Sequence, residues 1–170
     1  MNETIKSEVI VDNFEKPIDE LNGFGILIPF VKELGFVLNF YESGKSQITY
    51  SPKPQHLNSF QVAHGGAVMT LMDVSMATAA RSVDKSLGIV TIEMKTSFLR
   101  PSNGRLIAMG ELIHRTKTTA FVESKIMNEL GELCAHSTGT FRYVQRKPAE
   151  VKAPAPEKQH FNSDGPIATD

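Results

Sequence analysis

Between Ala67 and Ala80 the chain reads AVMTLMDVSMATAA, and Asp73 is the only ionisable group in that run. A segment of this kind makes a helix that is apolar nearly all round, and such a helix is buried at the centre of its domain. A carboxylate inside it is costly to desolvate. Asp73 therefore needs an offset, either a neighbouring hydroxyl or backbone group in a structural role, or a part in chemistry. His64-Gly65-Gly66 stands immediately before the run. Two glycines at a helix start allow close approach by another molecule, and the helix dipole there favours developing negative charge. Backbone donors and one tuned carboxylate are the parts that acyl transfer to water requires.

The rest of the chain has to enclose that helix. Gly23 to Gly35, GFGILIPFVKELG, reads as a short amphipathic helix that starts near Pro29 and closes at Gly35. Phe36–Tyr41 and Ser46–Ser51 read as strands, with Glu42-Ser43-Gly44-Lys45 as the hairpin turn. Pro52 to Ala63 has no period and reads as a loop, with His56 solvated in it. The helix runs from Gly65 to about Val83. On its wheel Asp73 shares a face with Gly66, Met69, Thr70, Met76, Ala77 and Ala80, opposite Val68, Leu71 and Ser75.

Everything after Leu87 reads as strands. Val90, Ile92, Met94, Thr96 and Phe98 alternate with Thr91, Glu93, Lys95 and Ser97, which predicts one half-buried strand ending at Arg100-Pro101. Arg105 to about His114, Thr119 to about Asn128 and Leu133 to about Val144 follow, the last two joined at Glu129–Glu132. Short turns make these strands antiparallel neighbours. The predicted architecture is α+β, a curved antiparallel sheet of five to six strands around one long central helix. Residues 1–22 form an arm, 23–146 the domain, and 147–170 a flexible tail too rich in Pro, Ala and charge to fold alone.

Several function classes are disfavoured. A net charge of −1 over 170 residues gives no bulk attraction for nucleic acid. The single cysteine, Cys134, permits no disulfide within the chain, suits a reducing cytosol, and reads as a core residue. The N-terminus has no signal-peptide pattern, and no stretch approaches the ~20 apolar residues of a membrane span. A cytoplasmic protein with no membrane or nucleic-acid partner is the expectation. No histidine pair has the spacing of a helical metal site, and neither a serine-hydrolase elbow nor a nucleotide-binding glycine loop is present. No metal or cofactor is called for. His64, just ahead of the helix, reads as an orienting or capping group rather than a general base. Arg115 and Lys117, in HRTKTTAF, read either as a solvated turn or as a seat for phosphates.

The strings NSFQVAHGGAVMTLMD, GIVTIEMKTSFLRP and GELCAHSTGTFR together resemble the hotdog-fold acyl-CoA thioesterases of the phenylacetate-degradation type, from about Phe24 to Val144. The resemblance implies subunits whose sheets pair edge to edge, giving a homodimer or homotetramer with active sites at the dimer interface. It implies that Asp73 is the catalytic carboxylate, as general base or nucleophile. It places Gly66 as the donor to the thioester carbonyl, with Gly65 adjacent. It also implies that Asn58 helps place water or substrate, and that Thr91 reaches the nucleophilic water from the partner subunit. Coenzyme A would run along Phe98 and the Arg115, Thr116, Lys117, Thr118 turn, with Arg142 adding a phosphate contact. Met69 and Met76 would line an adaptable acyl pocket. The alternative readings are a non-catalytic acyl-CoA sensor and a hotdog dehydratase, which relies on a differently spaced histidine.

Overall fold

The computed structural model describes residues 21–146. Apart from Leu21 and Asn22, the N-terminal arm and the C-terminal tail lie outside the described residues. The elements in chain order are α1 (Pro29–Leu34), β1 (Val37–Glu42), β2 (Lys45–Tyr50), a short 3-10 turn (Pro54–His56), α2 (Gly65–Arg81), β3 (Leu87–Phe98), β4 (Leu106–Arg115), β5 (Thr119–Met127) and β6 (Leu133–Gln145). The strands form one six-stranded sheet in the order β1-β2-β4-β5-β6-β3, antiparallel throughout.

Local chemistry fixes the connections. Pro29 opens α1, and Gly35, at φ 75°, closes it by donating its N–H to Val31 and Lys32 carbonyls. The helix expected to start near Pro29 and close at Gly35 occupies these six residues, and Gly23 and Gly25, at positive φ, keep the preceding residues out of it. Ser43 and Gly44, both at positive φ, make the two-residue β1–β2 turn, with Glu42 paired to Lys45. The β5–β6 turn is held by Asn128, whose Oδ1 accepts N–H bonds from Leu130 and Glu132.

Helix α2 lies across the sheet, chiefly over β4 and β5. Val68, Leu71, Met72, Ser75, Met76, Ala79 and Ala80 are buried against it. This corrects the helical-wheel reading, which put Met76 and Ala80 with Asp73. Met76 instead packs over Gly139 of β6, where a Cβ would come within 3.3 Å of its Cε, so it belongs to the core beneath the helix. A helix with apolar residues on most sides carries no contrast that marks which side the sheet will cover. The stripe left uncovered in a single chain runs through Gly66, Met69, Thr70, Asp73 and Ala77, and Met69 is 39% exposed.

The helix sits unusually close to β4. A Cβ on Gly110 would lie 2.7 Å from Ser46 Oγ and closer still to the Ser75 carbonyl oxygen. Around this contact, Ser46 donates to the Ser75 carbonyl (2.7 Å) and Ser75 donates to the Met72 carbonyl (2.9 Å). Ser75 having spent its one hydrogen, Ser124 supplies that of their 2.6 Å hydroxyl contact.

Strand β3 departs from simple alternation. Thr91 pairs with Phe141 and Glu93 with Thr140, so Ile92 is an extra, bulged residue. The phase of the strand changes there. Thr91 comes to the helix side with Phe141, whereas Val90 and Ile92, expected to be half-buried beside Met94, are 46% and 58% exposed. β3 pairs only with β6 and forms one edge of the sheet.

Candidate active site

Asp73 emerges half-buried from the uncovered stripe of α2. Thr91, turned inward by the Ile92 bulge, donates its hydroxyl to Asp73 Oδ1 at 2.7 Å. Burial pushes the Asp73 carboxyl above its ordinary value, and the Thr91 hydrogen bond opposes that rise without cancelling it. A carboxylate of raised basicity, held by one oxygen, is suited to accept a proton or to attack. The resemblance brought Thr91 to this place from a partner subunit. In the structure it belongs to the same chain as the carboxylate it holds.

The glycine pair lies at the start of α2. His64 is the cap residue, and its Nδ1 accepts the Gly66 N–H at 3.0 Å. The Gly66 amide, expected to be free, is therefore occupied, and the His64 ring caps the helix it precedes. The Gly65 N–H has no partner among the described residues, and Gly65 lines an open groove of about 410 Å³. Asn58 lines the same groove; its Oδ1 accepts from the Phe60 and Val62 amides (2.9 and 3.3 Å), which fixes the bend of the loop. Phe98 closes one wall, its ring 3.5 Å from where a Gly65 Cβ would stand.

His56 is not solvated as expected. It is 8% exposed, tilted against the buried Tyr50 ring, and its carbonyl accepts the His64 N–H at 2.8 Å. Composition alone marked this segment as loop; the stacking partner lies in β2 and leaves no local signal. Cys134 is buried, as expected, and burial pushes its thiol up.

The remaining expected ligands are not gathered here in one chain. Thr116 Oγ1 accepts the Thr118 and Thr119 amides (3.3 and 3.0 Å) and so organises its own turn. Arg115 lies 5.9 Å from the centroid of the Tyr143 ring, and Lys117 is exposed. Arg142 pairs with Thr119 and Val90 on the sheet face away from α2. Val90 and Phe98 are separated by about 26 Å of strand, so this cationic end and the groove occupy opposite ends of the sheet. Met69 lies on the uncovered stripe, four residues before Asp73. Among the described residues no cluster of His, Cys, Asp and Glu is placed to hold a metal ion, and no helix is long and apolar enough to cross a membrane.

Asp73 and Gly65 are eight residues apart on one helix, hence about 12 Å along its axis. A base must come within about 3 Å of its proton, or one water further. In one chain the two cannot act on the same carbonyl.

One helix across a curved antiparallel sheet, with a glycine pair at its start and a carboxylate two turns on, defines a hotdog-fold protein of the thioesterase class. Residues 60–135 match the family model described as thioesterase superfamily. The chain is 30% identical over 100 residues to the acyl-coenzyme A thioesterase PaaI of Escherichia coli, covering 58% of this chain and 70% of that one. It is 24% identical over 131 residues to the medium/long-chain acyl-CoA thioesterase YigI of Salmonella typhimurium, covering 67% of this chain and 84% of that one. The solved structure of the E. coli PaaI protein from the phenylacetic acid degradation operon superposes with a TM-score of 0.64 at 27% identity, over 68% of this chain and 83% of that chain. The chain belongs to the thioesterase superfamily.

Proposed function

We propose that the protein hydrolyses an acyl-CoA thioester to a carboxylic acid and coenzyme A, in active sites shared by two copies of the chain. The observation that carries this is the Asp73–Thr91 pair on the uncovered stripe of α2, out of reach of its own helix start but open to that of another copy. Edge-to-edge pairing through β3 would cover the exposed Val90 and Ile92 and bring the Gly65 end of one helix towards Asp73 of the other. The same pairing would carry the Arg115–Thr118 turn and Arg142 of one copy towards the Phe98 end of its neighbour, where the coenzyme would lie.

In the general-base form, Asp73 takes a proton from water and the resulting hydroxide adds to the carbonyl carbon. The Gly65 N–H, with Gly66 kept by His64, receives the negative charge on the carbonyl oxygen. Collapse breaks the C–S bond, and the leaving thiolate recovers the proton from Asp73. In the nucleophilic form, Asp73 adds to the carbonyl carbon and the C–S bond breaks to expel the coenzyme thiolate; water then cleaves the mixed anhydride to the acid and free Asp73, and its released proton goes to the thiolate. Single turnover in oxygen-18 water tests for the anhydride route, because label enters the protein only when water attacks the Asp73 carbonyl of the anhydride.

The primary test is thiol release across a panel of acyl-CoAs, with Asp73→Ala as the blank. Saturable binding without thiol release would favour the sensor reading instead. The shared site has its own test, by mixing two inactive variants, Asp73→Ala and Gly65→Val. Reassociated dimers should recover about a quarter of wild-type activity, since half are mixed and each of those has one intact site. No recovery after exchange would refute the shared site.

Thr91→Val should act through Asp73. Losing a hydrogen bond to a charged group costs about 1.5–3 kcal/mol. Because the Thr91 bond lowers the Asp73 pKa, its loss raises that pKa further. The acid limb of the kcat/KM profile should therefore move to higher pH, with about tenfold lower activity at neutral pH. An acid limb that stays in place would detach Thr91 from the chemistry.

A further inference from the structure

The buried apolar residues fall into two clusters, and a row of hydrogen-bonded hydroxyls runs between them. One cluster includes Met72, Ile126 and Ala135; the other includes Met76, Val122 and Phe141. Between them the strand pairing aligns Ser46, Gly110, Ser124, Ser137 and Thr96 across β2, β4, β5, β6 and β3. Ser46, Ser124 and Ser137 are at most 3% exposed, and Ser75 of α2, which meets the row from the helix side, is fully buried. Each hydroxyl is bonded. Ser46 and Ser124 both reach α2, at the Ser75 carbonyl and hydroxyl (2.7 and 2.6 Å). Ser137 donates to the Lys95 carbonyl (2.9 Å) and accepts from Thr96 (3.1 Å). That pair holds β3 against β6 five residues beyond Thr91.

Fold stability does not account for this row. A buried hydrogen bond adds little net stability, and replacing both partners by apolar groups of similar shape can be nearly neutral. What hydroxyls add is direction. Apolar contacts between helix and sheet tolerate small slides and rotations, whereas a hydrogen bond weakens steeply when misaligned. Buried polar residues fix the register of packed helices in this way. Asp73 is the group that depends on the seat. Ser75 donates to the Met72 carbonyl (2.9 Å), which belongs to the peptide whose N–H is that of Asp73. The Asp73 backbone is thus held from β5 through Ser75, while its carboxylate is held from β3 by Thr91 (2.7 Å). We propose that Ser75 and Ser124 are positioning residues for Asp73: their contact seats α2 on the sheet so that the carboxylate meets the Thr91 hydroxyl. The inference rests on the acyl-CoA reading above for its kinetic consequence only.

The test compares the full-length wild type with two variants. Ser75→Ala/Ser124→Ala removes both partners and orphans neither, and Ser124→Ala leaves Ser75 bonded to Met72. The Asp73 side-chain carboxyl is titrated by carbon-13 NMR without ligand. Burial raises its pKa and the Thr91 hydroxyl lowers it, so a helix out of its seat weakens the Thr91 bond and moves the titration to higher pH. Both variants should show that rise, the single one less, with urea midpoints near that of the wild type. Adding Thr91→Val to the double variant should move the titration little further, because both changes break the same contact. In thiol release, kcat should fall about tenfold with KM nearly unchanged. An unmoved Asp73 titration overturns the proposal, as does a shift that adds in full to that of Thr91→Val. Urea midpoints far below the wild type in both variants would make the hydroxyls a matter of stability and overturn it equally. The titration needs no substrate, so a failure of the hydrolase reading at thiol release is distinguishable from a failure of this one.

Discussion

Asp73→Asn should lower kcat for thioester hydrolysis by about 10²–10⁴-fold while leaving acyl-CoA binding nearly unchanged, because asparagine keeps the shape and the acceptor for Thr91 but cannot take a proton. The same substitution should stabilise the fold at neutral pH. Burial holds the Asp73 carboxyl above its ordinary value of 3.8. Between that value and the raised one the folded chain binds more protons than the unfolded chain, so stability falls as pH rises through the window and stays reduced above it. Asparagine removes that penalty. Its urea midpoint should exceed that of the wild type at pH 7, and the gain should disappear as the pH falls below the unfolded value. Equal midpoints at pH 7 together with full hydrolytic rate would remove Asp73 from the mechanism. A gain in stability with a loss of rate is the expected signature of a group kept for function.

Gly110→Ala should be one of the most damaging single-methyl changes in the described residues. The added carbon would meet the Ser75 carbonyl and Ser46 Oγ, atoms that are themselves fixed by hydrogen bonds. Neither can retreat without lifting α2 off β4. The expected loss is about 3 kcal/mol, at the upper end for overpacking. That corresponds to roughly 10 °C or more in Tm for a domain of this size. Activity should fall at temperatures where the variant is still folded, because Asp73 lies two residues from Ser75 and meets Thr91 only while the helix keeps its seat. A variant melting within about 2 °C of the wild type would show that the helix relaxes freely.

The features legible in the sequence were those with local causes. Pro29 and Gly35 bounded α1, Ser43-Gly44 marked a turn, the charge-free run marked α2, and the order of strands followed from turn spacing. Asp73 was identified by cost alone, as one charge in an apolar segment. The features that were not legible depend on long-range partners. Strict alternation along Val90–Phe98 assigned Thr91 to the wrong face, because nothing in the residues announces that Ile92 is bulged; the pairing with β6 decides it. His56 and Met76 were misplaced for the same reason, their neighbours being Tyr50 in β2 and Gly139 in β6. The capture of the Gly66 amide by His64 is a matter of side-chain rotamer, on which composition is silent.

The placement of β3 also sets a timetable for the nascent chain. β3 is made before β4, β5 and β6, yet its partner in the sheet is β6, the last strand to leave the ribosome, with Leu87 paired to Gln145. Contacts of such sequence separation form late and slowly. Until β6 arrives, the strand that carries Thr91 has no ladder to join, and its apolar residues at 90 and 92 are open to aggregation. The final strand thus completes the fold and the Asp73–Thr91 pair in one step, so a truncated product cannot hold an assembled carboxylate.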